Sequence, residues 1–200
     1  LAAGESTRME RPKQLLDWFG FPLVGYQIRQ LLGSGIGQII VVLGHQIEEV
    51  RPVVENAGKG RAEIVLNPEY RTGKTSSIKA GLKTVAAGQT CVLLQAADQP
   101  RSAQLIQLLV TQHLTSAAKI SIPARDGKHG HPPVFDKSLV PELLQITEQG
   151  QGVREVIERY HDSIHEVAVD DPLVLTNLNT NEDYERALLL AAKRLRSQHA

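Results

Sequence analysis

The stretch LAAGESTRMERPKQLL, residues 1–16, is the part of the sequence around which the rest of the chain is organised. It begins with small apolar residues, turns at Gly4, and then presents Ser6, Arg8 and Lys13 in close succession. A glycine turn at the end of an apolar strand favours phosphate binding, because backbone N–H groups converge there and a ligand can approach the chain closely. The hydroxyl, guanidinium and ammonium groups add three kinds of donor for phosphate oxygens. We therefore predict a phosphate-binding loop, although the Walker A and dinucleotide spacings are absent and a solvated polar turn is the simpler alternative.

The composition limits the class of protein. A chain of 200 residues with 42% apolar content suits one α/β domain, with at most a small insertion. The 22 basic residues balance the 22 acidic ones, so the net charge gives no support for a nucleic-acid or membrane partner. The single cysteine, Cys91, cannot form an intrachain disulfide and fits a reducing compartment, so we expect a cytoplasmic protein. A strand leading into the opening loop would need residues upstream of Leu1, so we also expect that the sequence is truncated at its N-terminus.

Short apolar runs alternate with segments of helical periodicity along the chain. The predicted strands are 38–43, 62–66, 90–97, 119–123 and 164–169. The predicted helices are 22–32, 47–57, 76–87, 102–114, 138–146, 152–160 and a last helix that opens at Thr180 with Asp183 in a capping box. This alternation implies parallel pairing with right-handed crossovers, and so predicts an α/β fold with a doubly wound, mostly parallel, Rossmann-like sheet.

Two further polar clusters follow predicted strands, at the sheet edge where open α/β sheets bind ligands. Asp98 comes after the longest apolar run and can ligate Mg²⁺, or it can simply cap the helix that begins near Ser102. Asn177 and Asn179 precede the last helix, and an amide oxygen can coordinate Mg²⁺ without supplying charge. The histidines of the 126–133 loop are weak evidence for zinc, because no cysteine or acidic cluster accompanies them.

These residues carry a resemblance to a known family. The pattern L-A-A-G-x-S-x-R-M-x-x-x-K-x-L-L resembles the loop that wraps the triphosphate in the nucleotidyltransferases of molybdenum cofactor synthesis, in particular the molybdenum cofactor cytidylyltransferase family. Ala97-Asp98-Gln99-Pro100 resembles the family's G-D-Q-P metal motif, and Asn177-Leu178-Asn179-Thr180 resembles its D-x-D-T motif. Three colinear segments extend the resemblance: 67–82 is similar to the nucleotide and base segment, 130–132 to the pterin-side G-H-P, and 150–154 to G-D-x-G-x-R.

The resemblance implies a role for particular residues. It implies one nucleotidyltransferase domain over 1–200, with a nucleotide-binding half of about 1–100 and an acceptor-binding half of about 101–200. The implied catalytic residues are Arg8, Lys13 and Asp98, and the implied ligands of Mg²⁺ (or Mn²⁺) are Asp98 and Asn179. The implied nucleotide-binding residues are Ala2, Ala3, Gly4, Ser6, Arg8, Lys13, Asn67, Ser77 and Gly81. The implied acceptor-binding residues are Gly130, His131, Pro132 and Arg154.

The activity that the resemblance implies is transfer of CMP from CTP to a molybdopterin-type cofactor, with release of pyrophosphate. The implied partners are CTP, the molybdopterin-type acceptor and a molybdoenzyme or its maturation factor, with no nucleic acid and no membrane. L-A-A-G favours CTP, whereas N-x-N-T is common in the related GTP-dependent guanylyltransferases, so both nucleotides remain open. Glu10, Gln151 and the two asparagines depart from the family pattern, which leaves a catalytically inactive, nucleotide-binding regulatory module as an alternative of another class.

Overall fold

The computed structural model describes residues 1–5, 9 and 12–198. The strands are β1 (Asp17–Trp18), β2 (Phe21–Pro22), β3 (Ile39–Leu43), β4 (Ala62–Leu66), β5 (Cys91–Leu93), β6 (Ile120–Arg125), β7 (Lys128–His129), β8 (Val134–Asp136) and β9 (Ile164–Ala168). The α-helices are α1 (Leu23–Gly33), α2 (Ile47–Gly58), α3 (Lys74–Leu82), α4 (Ala103–Thr115), α5 (Val140–Leu143), α6 (Val153–Arg159) and α7 (Asn181–Gln198). Short 3₁₀ turns include Lys13–Leu15, Tyr70–Thr72 and Pro172–Leu175.

Besides the antiparallel pair of β1 and β2, the strands form two groups, which the opening stretch joins. In the first group β3 pairs in parallel with β4. In the second, β6 pairs in parallel with β9 and antiparallel with β8, which itself pairs antiparallel with β5. Ala2 forms a parallel bridge with Leu43, and its N–H donates to the Val42 carbonyl at 2.9 Å. On the other side the Ala97 N–H donates to the Leu1 carbonyl at 2.8 Å, so residues 1–3 lie between the end of β3 and the segment that follows β5.

Helices cover both faces of these strands, because successive side chains of a strand point to opposite faces. In β8, Val134 packs in one apolar cluster with Leu105 of α4, whereas the adjacent Phe135 packs in another with Ile78 of α3. In β3, the side chains at 39, 41 and 43 pack with α1 and α2. α3 lies on the other face of β3, since a Cβ added to Gly81 would be 3.0 Å from Val42.

The α/β class predicted from the alternation is confirmed. The sheet is mixed, because β8 runs antiparallel to both of its neighbours and was not predicted as a strand. The predicted strand 90–97 is regular only over β5, and the segment after Leu93 instead makes single backbone hydrogen bonds to Pro133 and Leu1. The predicted caps are present: Ser102 Oγ accepts from the Leu105 N–H at 3.3 Å at the start of α4. Thr180 and Asp183 form a reciprocal capping box at 3.1 Å each way.

In the described part of the chain, no helix is long and apolar enough to cross a membrane.

Candidate active site

A cavity of about 320 Å³ lies at the carboxyl end of β3, beside the opening stretch, and we call it the polar cavity because Lys13, Lys74 and Asp98 line it. Six of the predicted site residues line it together: Ala2, Ala3, Gly4, Lys13, Ser77 and Asp98. Gln14, Tyr70 and Lys74, which were not predicted as site residues, also line it. A second cavity of about 330 Å³ lies along β3 and β5, and Ile, Leu and Val side chains make up most of its lining, so it offers little to a charged ligand.

Three side chains meet at one point of the polar cavity. Lys13 Nζ donates to Asp98 Oδ2 at 3.2 Å and to Asn179 Oδ1 at 3.1 Å. The Lys13 side chain is 12% exposed and that of Asp98 is 27% exposed, so the ion pair is partly shielded from solvent. These residues come from the beginning, middle and end of the chain, and the fold therefore assembles the predicted cation and metal ligands into a single cluster.

The Asp98 turn is held by contacts to its backbone. Gln27 of α1 is buried, and its Nε2 donates to the Ala96 and Ala97 carbonyls at 3.1 and 2.7 Å. The Asp98 carbonyl accepts from the Leu178 N–H at 2.9 Å. Because both sides of the turn are tied to other elements, the Asp98 carboxylate projects from a supported backbone.

The two asparagines before α7 have different surroundings. Asn177 Oδ1 accepts from Gln99 Nε2 at 2.6 Å, which links this segment to the Asp98 turn. Asn179 Oδ1 instead accepts from Lys13 Nζ at 3.1 Å. Asn177 is thus bonded to the Asp98 turn, whereas the side chain of Asn179 is bonded to a residue that lines the cavity.

Gln14 holds the opening loop in place. Its side chain is buried, and Nε2 donates to the carbonyls of Ala2 and Gly4, each at 3.0 Å. The Ala3 carbonyl accepts from the His45 N–H at 3.1 Å. Three consecutive carbonyl oxygens therefore have internal donors, which reduces the repulsion that an anionic ligand would meet along this loop.

The segment 67–82 supports the opposite wall of the cavity. Asn67 is buried, and its Nδ2 donates to Ser76 Oγ at 2.9 Å and to Ser77 Oγ at 3.0 Å, while its Oδ1 accepts from the Glu69 N–H at 3.0 Å. Ser77 itself lines the cavity. Of the predicted nucleotide-binding residues in this segment, Asn67 therefore shapes the wall, and Gly81 lies where α3 packs closely against β3 instead of at the polar cavity.

Arg101 organises the start of the second half, although no sequence motif singled it out. The side chain is 1% exposed, and its N–H groups donate to four backbone carbonyls. The acceptors and distances are His131 (2.7 Å), Pro100 (2.9 Å), Val174 (3.1 Å) and Thr176 (3.2 Å). Burial lowers the pKa of Arg101 to about 10, so the group remains charged at neutral pH. This one side chain ties the Asp98 turn to the loop around His131 and to the segment leading to Asn179.

The predicted acceptor loop lies beside that arginine. The His131–Pro132 peptide bond is cis, and the His131 N–H donates to the Val174 carbonyl at 3.0 Å. A Cβ at Gly130 would be 2.7 Å from the Val174 carbonyl oxygen, so only glycine allows this close approach. Burial, with Lys74 and Arg101 as further causes, lowers the pKa of His131 to about 4. The fourth predicted acceptor residue, Arg154, is exposed in the first turn of α6.

The shifted pKa of His131 predicts how stability depends on pH. Between about pH 6.5 and pH 4 the unfolded chain binds a proton that the folded protein does not, so the free energy of unfolding falls as the pH is lowered through this range. We expect a smaller loss of the urea midpoint between pH 7 and pH 5 in His131→Gln than in the wild type. The exposed His161 provides the matched control, and His161→Gln should keep the wild-type difference. An equal loss in wild type and His131→Gln would contradict the assigned environment of His131.

The donor set of the cavity fits a hard divalent cation. Among the described residues, no group of three or more His, Cys, Asp and Glu side chains is placed to hold a metal ion. Asp98 Oδ2 and Asn179 Oδ1 nevertheless converge on one point, as shown by their contacts with a single nitrogen atom. Mg²⁺ typically takes one or two protein oxygens and completes its shell with water and substrate phosphates.

The predicted positions Ser6 and Arg8, like Glu10, lie outside the described residues, so their roles stay predictions.

Comparisons with known proteins find a matching family and relatives for most of the chain. The MobA-like NTP transferase domain family matches residues 1–164 of the 200. The bifunctional protein GlmU of Brucella anthropi is 31% identical over 160 residues, which are 78% of this chain and 34% of GlmU. The chain thus spans about a third of the length of that curated relative.

Solved structures share the fold over nearly the whole chain. The crystal structure of Rv0371c from Mycobacterium tuberculosis H37Rv is 25% identical, with a TM-score of 0.80 over 94% of each chain. A structure of the same protein in complex with manganese has a TM-score of 0.76 at 24% identity, again over 94% of each chain. Molybdopterin-guanine dinucleotide biosynthesis protein A from Archaeoglobus fulgidus has a TM-score of 0.66 at 18% identity over 96% of each chain.

Proposed function

The chain belongs to the family of MobA-like NTP transferase domains, and from that premise we propose that it transfers CMP from CTP to a molybdopterin-type acceptor and releases pyrophosphate. The observation that carries the proposal is the convergence of Lys13, Asp98 and Asn179 beside the opening loop. A nucleotidyl transfer needs a cation for the leaving phosphates and oxygen ligands for a metal ion, and this cluster supplies both.

The nucleotide triphosphate would lie along the opening loop. Ala2, Ala3 and Gly4 line the cavity, and their carbonyl groups are engaged inside the protein. Lys13 and Lys74 supply positive charge at the same cavity, and the predicted Ser6 and Arg8 belong to the same loop. These groups would hold the β- and γ-phosphates and stabilise the charge that develops on departing pyrophosphate.

Asp98 and Asn179 would hold Mg²⁺ or Mn²⁺. When bound, such an ion neutralises charge on the α-phosphate and helps to orient it. The manganese complex of Rv0371c supports a divalent ion in this fold, and the oxygen-only donor set of this chain agrees with that choice. The single carboxylate of the pair suggests that much of the ion's coordination comes from the triphosphate itself.

The chemistry depends mainly on positioning. A terminal phosphate oxygen of the acceptor attacks the α-phosphorus, and the bond from the α-phosphorus to the bridging oxygen breaks as its electron pair leaves with pyrophosphate. Because the attacking phosphate is already anionic, the reaction needs alignment and charge neutralisation more than a general base. Gln14 and Gln27 would support this alignment by fixing backbone carbonyls of loops at the cavity, and Arg101 by fixing those of the segments beside it.

The acceptor would enter from the side of the second half. Gly130, His131 and Pro132 form a buried or half-buried loop that Arg101 holds against residues 174–176, and Arg154 offers an exposed cation. The A. fulgidus neighbour is named for molybdopterin-guanine dinucleotide biosynthesis, which supports a pterin-type acceptor. A cytoplasmic location, one domain with a nucleotide half and an acceptor half, and a molybdoenzyme or its maturation factor as a partner belong to the same proposal.

A turnover assay tests this function directly. The protein is incubated with CTP or GTP, Mg²⁺ and molybdopterin-type acceptors, and pyrophosphate release is measured with reactions lacking acceptor as controls. Acceptor-dependent release with CTP is the expected result. Release with GTP alone would make the protein a guanylyltransferase, and nucleotide binding without release for any acceptor would favour a regulatory module.

Nucleotide preference gives a second, independent prediction. The Ala2-Ala3-Gly4 form of the opening loop is the feature that favours CTP, so we expect CTP to bind about tenfold more tightly than GTP, a difference of about 1.4 kcal/mol. Calorimetry with both nucleotides as Mg²⁺ complexes measures it, and tighter binding of GTP would contradict the preference.

A further inference from the structure

We propose that the Lys13 ammonium takes the place of the metal ion while the nucleotide is absent, and moves onto phosphate oxygens when the triphosphate binds. The inference rests on the proposed function in one respect, namely that Asp98 and Asn179 are the protein's metal ligands. It adds that the free protein has only weak affinity for the ion, because one of its own side chains occupies the ligands.

The geometry is the first argument. Lys13 Nζ lies 3.2 Å from Asp98 Oδ2 and 3.1 Å from Asn179 Oδ1. A Mg²⁺ ion would lie about 2.0–2.1 Å from each ligand oxygen. An ion that contacts both oxygens would therefore need the volume that the ammonium fills between them, so the ion and the ammonium cannot hold this pair of oxygens together.

The charges of the cluster are the second argument that the ion and the ammonium exclude each other. Asp98 is the only carboxylate of the pair, because Asn179 provides a neutral amide oxygen. With Lys13 in place the cluster already carries one balanced pair of charges, and a dication would meet an ammonium at contact distance. A triphosphate changes both conditions, since it brings several negative charges and offers Lys13 new acceptors.

The backbone around Lys13 allows its side chain to move alone. Lys13 begins the 3₁₀ turn Lys13–Leu15, and its neighbour Gln14 is anchored by hydrogen bonds to the Ala2 and Gly4 carbonyls. The lysine side chain has four flexible carbons, and it lines the cavity that the opening loop also lines. A rotation of this chain can therefore carry the ammonium from the metal ligands toward the loop without moving the turn.

The test compares two affinities of the nucleotide-free protein. Binding of Mn²⁺ alone is measured by water-proton relaxation, and binding of inorganic tripolyphosphate without metal by calorimetry. Lys13→Met should bind Mn²⁺ about tenfold more tightly than the wild type and tripolyphosphate about tenfold less tightly, each change corresponding to about 1.4 kcal/mol. A merely structural role of Lys13 would weaken both affinities, so the opposite signs are specific to the proposal.

Matched variants separate displacement from general electrostatics. Lys74→Met removes a charge from the same cavity but not from between the two oxygens, so it should change Mn²⁺ affinity much less than Lys13→Met. Lys83→Met removes an exposed lysine of the surface and should leave Mn²⁺ affinity at the wild-type value. The gain in Mn²⁺ affinity of Lys13→Met should disappear in the double variant that also carries Asp98→Asn. The carboxylate that Lys13→Met frees for the ion is then absent.

Each outcome decides the inference. Equal Mn²⁺ affinity of wild type and Lys13→Met overturns it, and so does an equal gain in Lys74→Met. Lys13→Gln replaces Lys13→Met if the latter does not fold, with the same expected changes. Since these measurements use neither CTP nor an acceptor, they can succeed where the turnover assay fails, or fail where it succeeds, so failure of this inference is distinguishable from failure of the proposed function.

Discussion

Asp98→Asn should lower turnover by about three orders of magnitude while the protein stays folded. The substitution keeps the size of the side chain and removes the only charge among the two oxygens that face Lys13. Loss of a charged metal ligand removes transition-state stabilisation, and a thousandfold loss of kcat corresponds to about 4 kcal/mol. The measurement is kcat for acceptor-dependent pyrophosphate release at saturating CTP and Mg²⁺.

The fold should survive this change, because the Asp98 turn is supported through its backbone. Gln27 and Leu178 bind carbonyl groups of the turn, and neither contact involves the carboxylate. Asp162→Asn, at a fully exposed carboxylate, is the matched control and should keep wild-type kcat and urea midpoint. Near-wild-type turnover of folded Asp98→Asn at saturating Mg²⁺ would remove Asp98 from the metal site and leave it as a turn residue.

The sequence singled out Lys13, Asp98 and Asn179, and the structure brings these three side chains into contact for physical reasons. Asp98 and Asn179 follow segments that end at the carboxyl edge of the strands, and Lys13 follows the opening turn. Since parallel strands bring such segments to one edge, residues far apart in sequence could be expected together. Their convergence on one nitrogen atom agrees with the arrangement that the motifs implied.

Other features could not be predicted, because they depend on which backbone groups meet after folding. Gln14, Gln27 and Arg101 look like ordinary polar residues in the sequence, yet all three are buried and donate to loop carbonyls. No local pattern indicates which carbonyls a turn leaves unpaired. β8 was missed for a related reason: three residues after His131-Pro132-Pro133 are too few to show a period, and pairing with β5 and β6 defines the strand.

Arg101→Met should lower the free energy of unfolding by about 3–5 kcal/mol, the largest stability effect that we expect in this chain. The guanidinium is 1% exposed and donates to the carbonyls of Pro100, His131 and Thr176, and to that of Val174, which also accepts from the His131 N–H. Methionine fills most of the volume but donates nothing, and each buried carbonyl left without a donor costs about 1–3 kcal/mol. The urea midpoint should fall by about 1–2 M.

Two further variants show whether the loss of stability comes from the several N–H donors of the guanidinium. Arg101→Lys keeps the charge but has a compact ammonium, which cannot span acceptors on three separate segments, so it should restore only part of the stability. Arg159→Gln removes an arginine that is 51% exposed and pairs with Glu142 and Glu155, and it should cost less than about 1 kcal/mol. Equal stability of Arg101→Met and wild type would show that these carbonyls find other donors.

The same side chain links stability to catalysis. Arg101 follows the Asp98 turn by three residues, and its acceptors lie in the loop of His131 and in the segment that leads to Asn179. The guanidinium holds these three segments in fixed positions relative to one another. Arg101→Lys should therefore raise KM for the acceptor even at low temperature, where the variant is fully folded. The KM for CTP should change less, because Gln14 holds the opening loop independently of Arg101. Equal increases in both KM values would instead mean that the whole site loosens together.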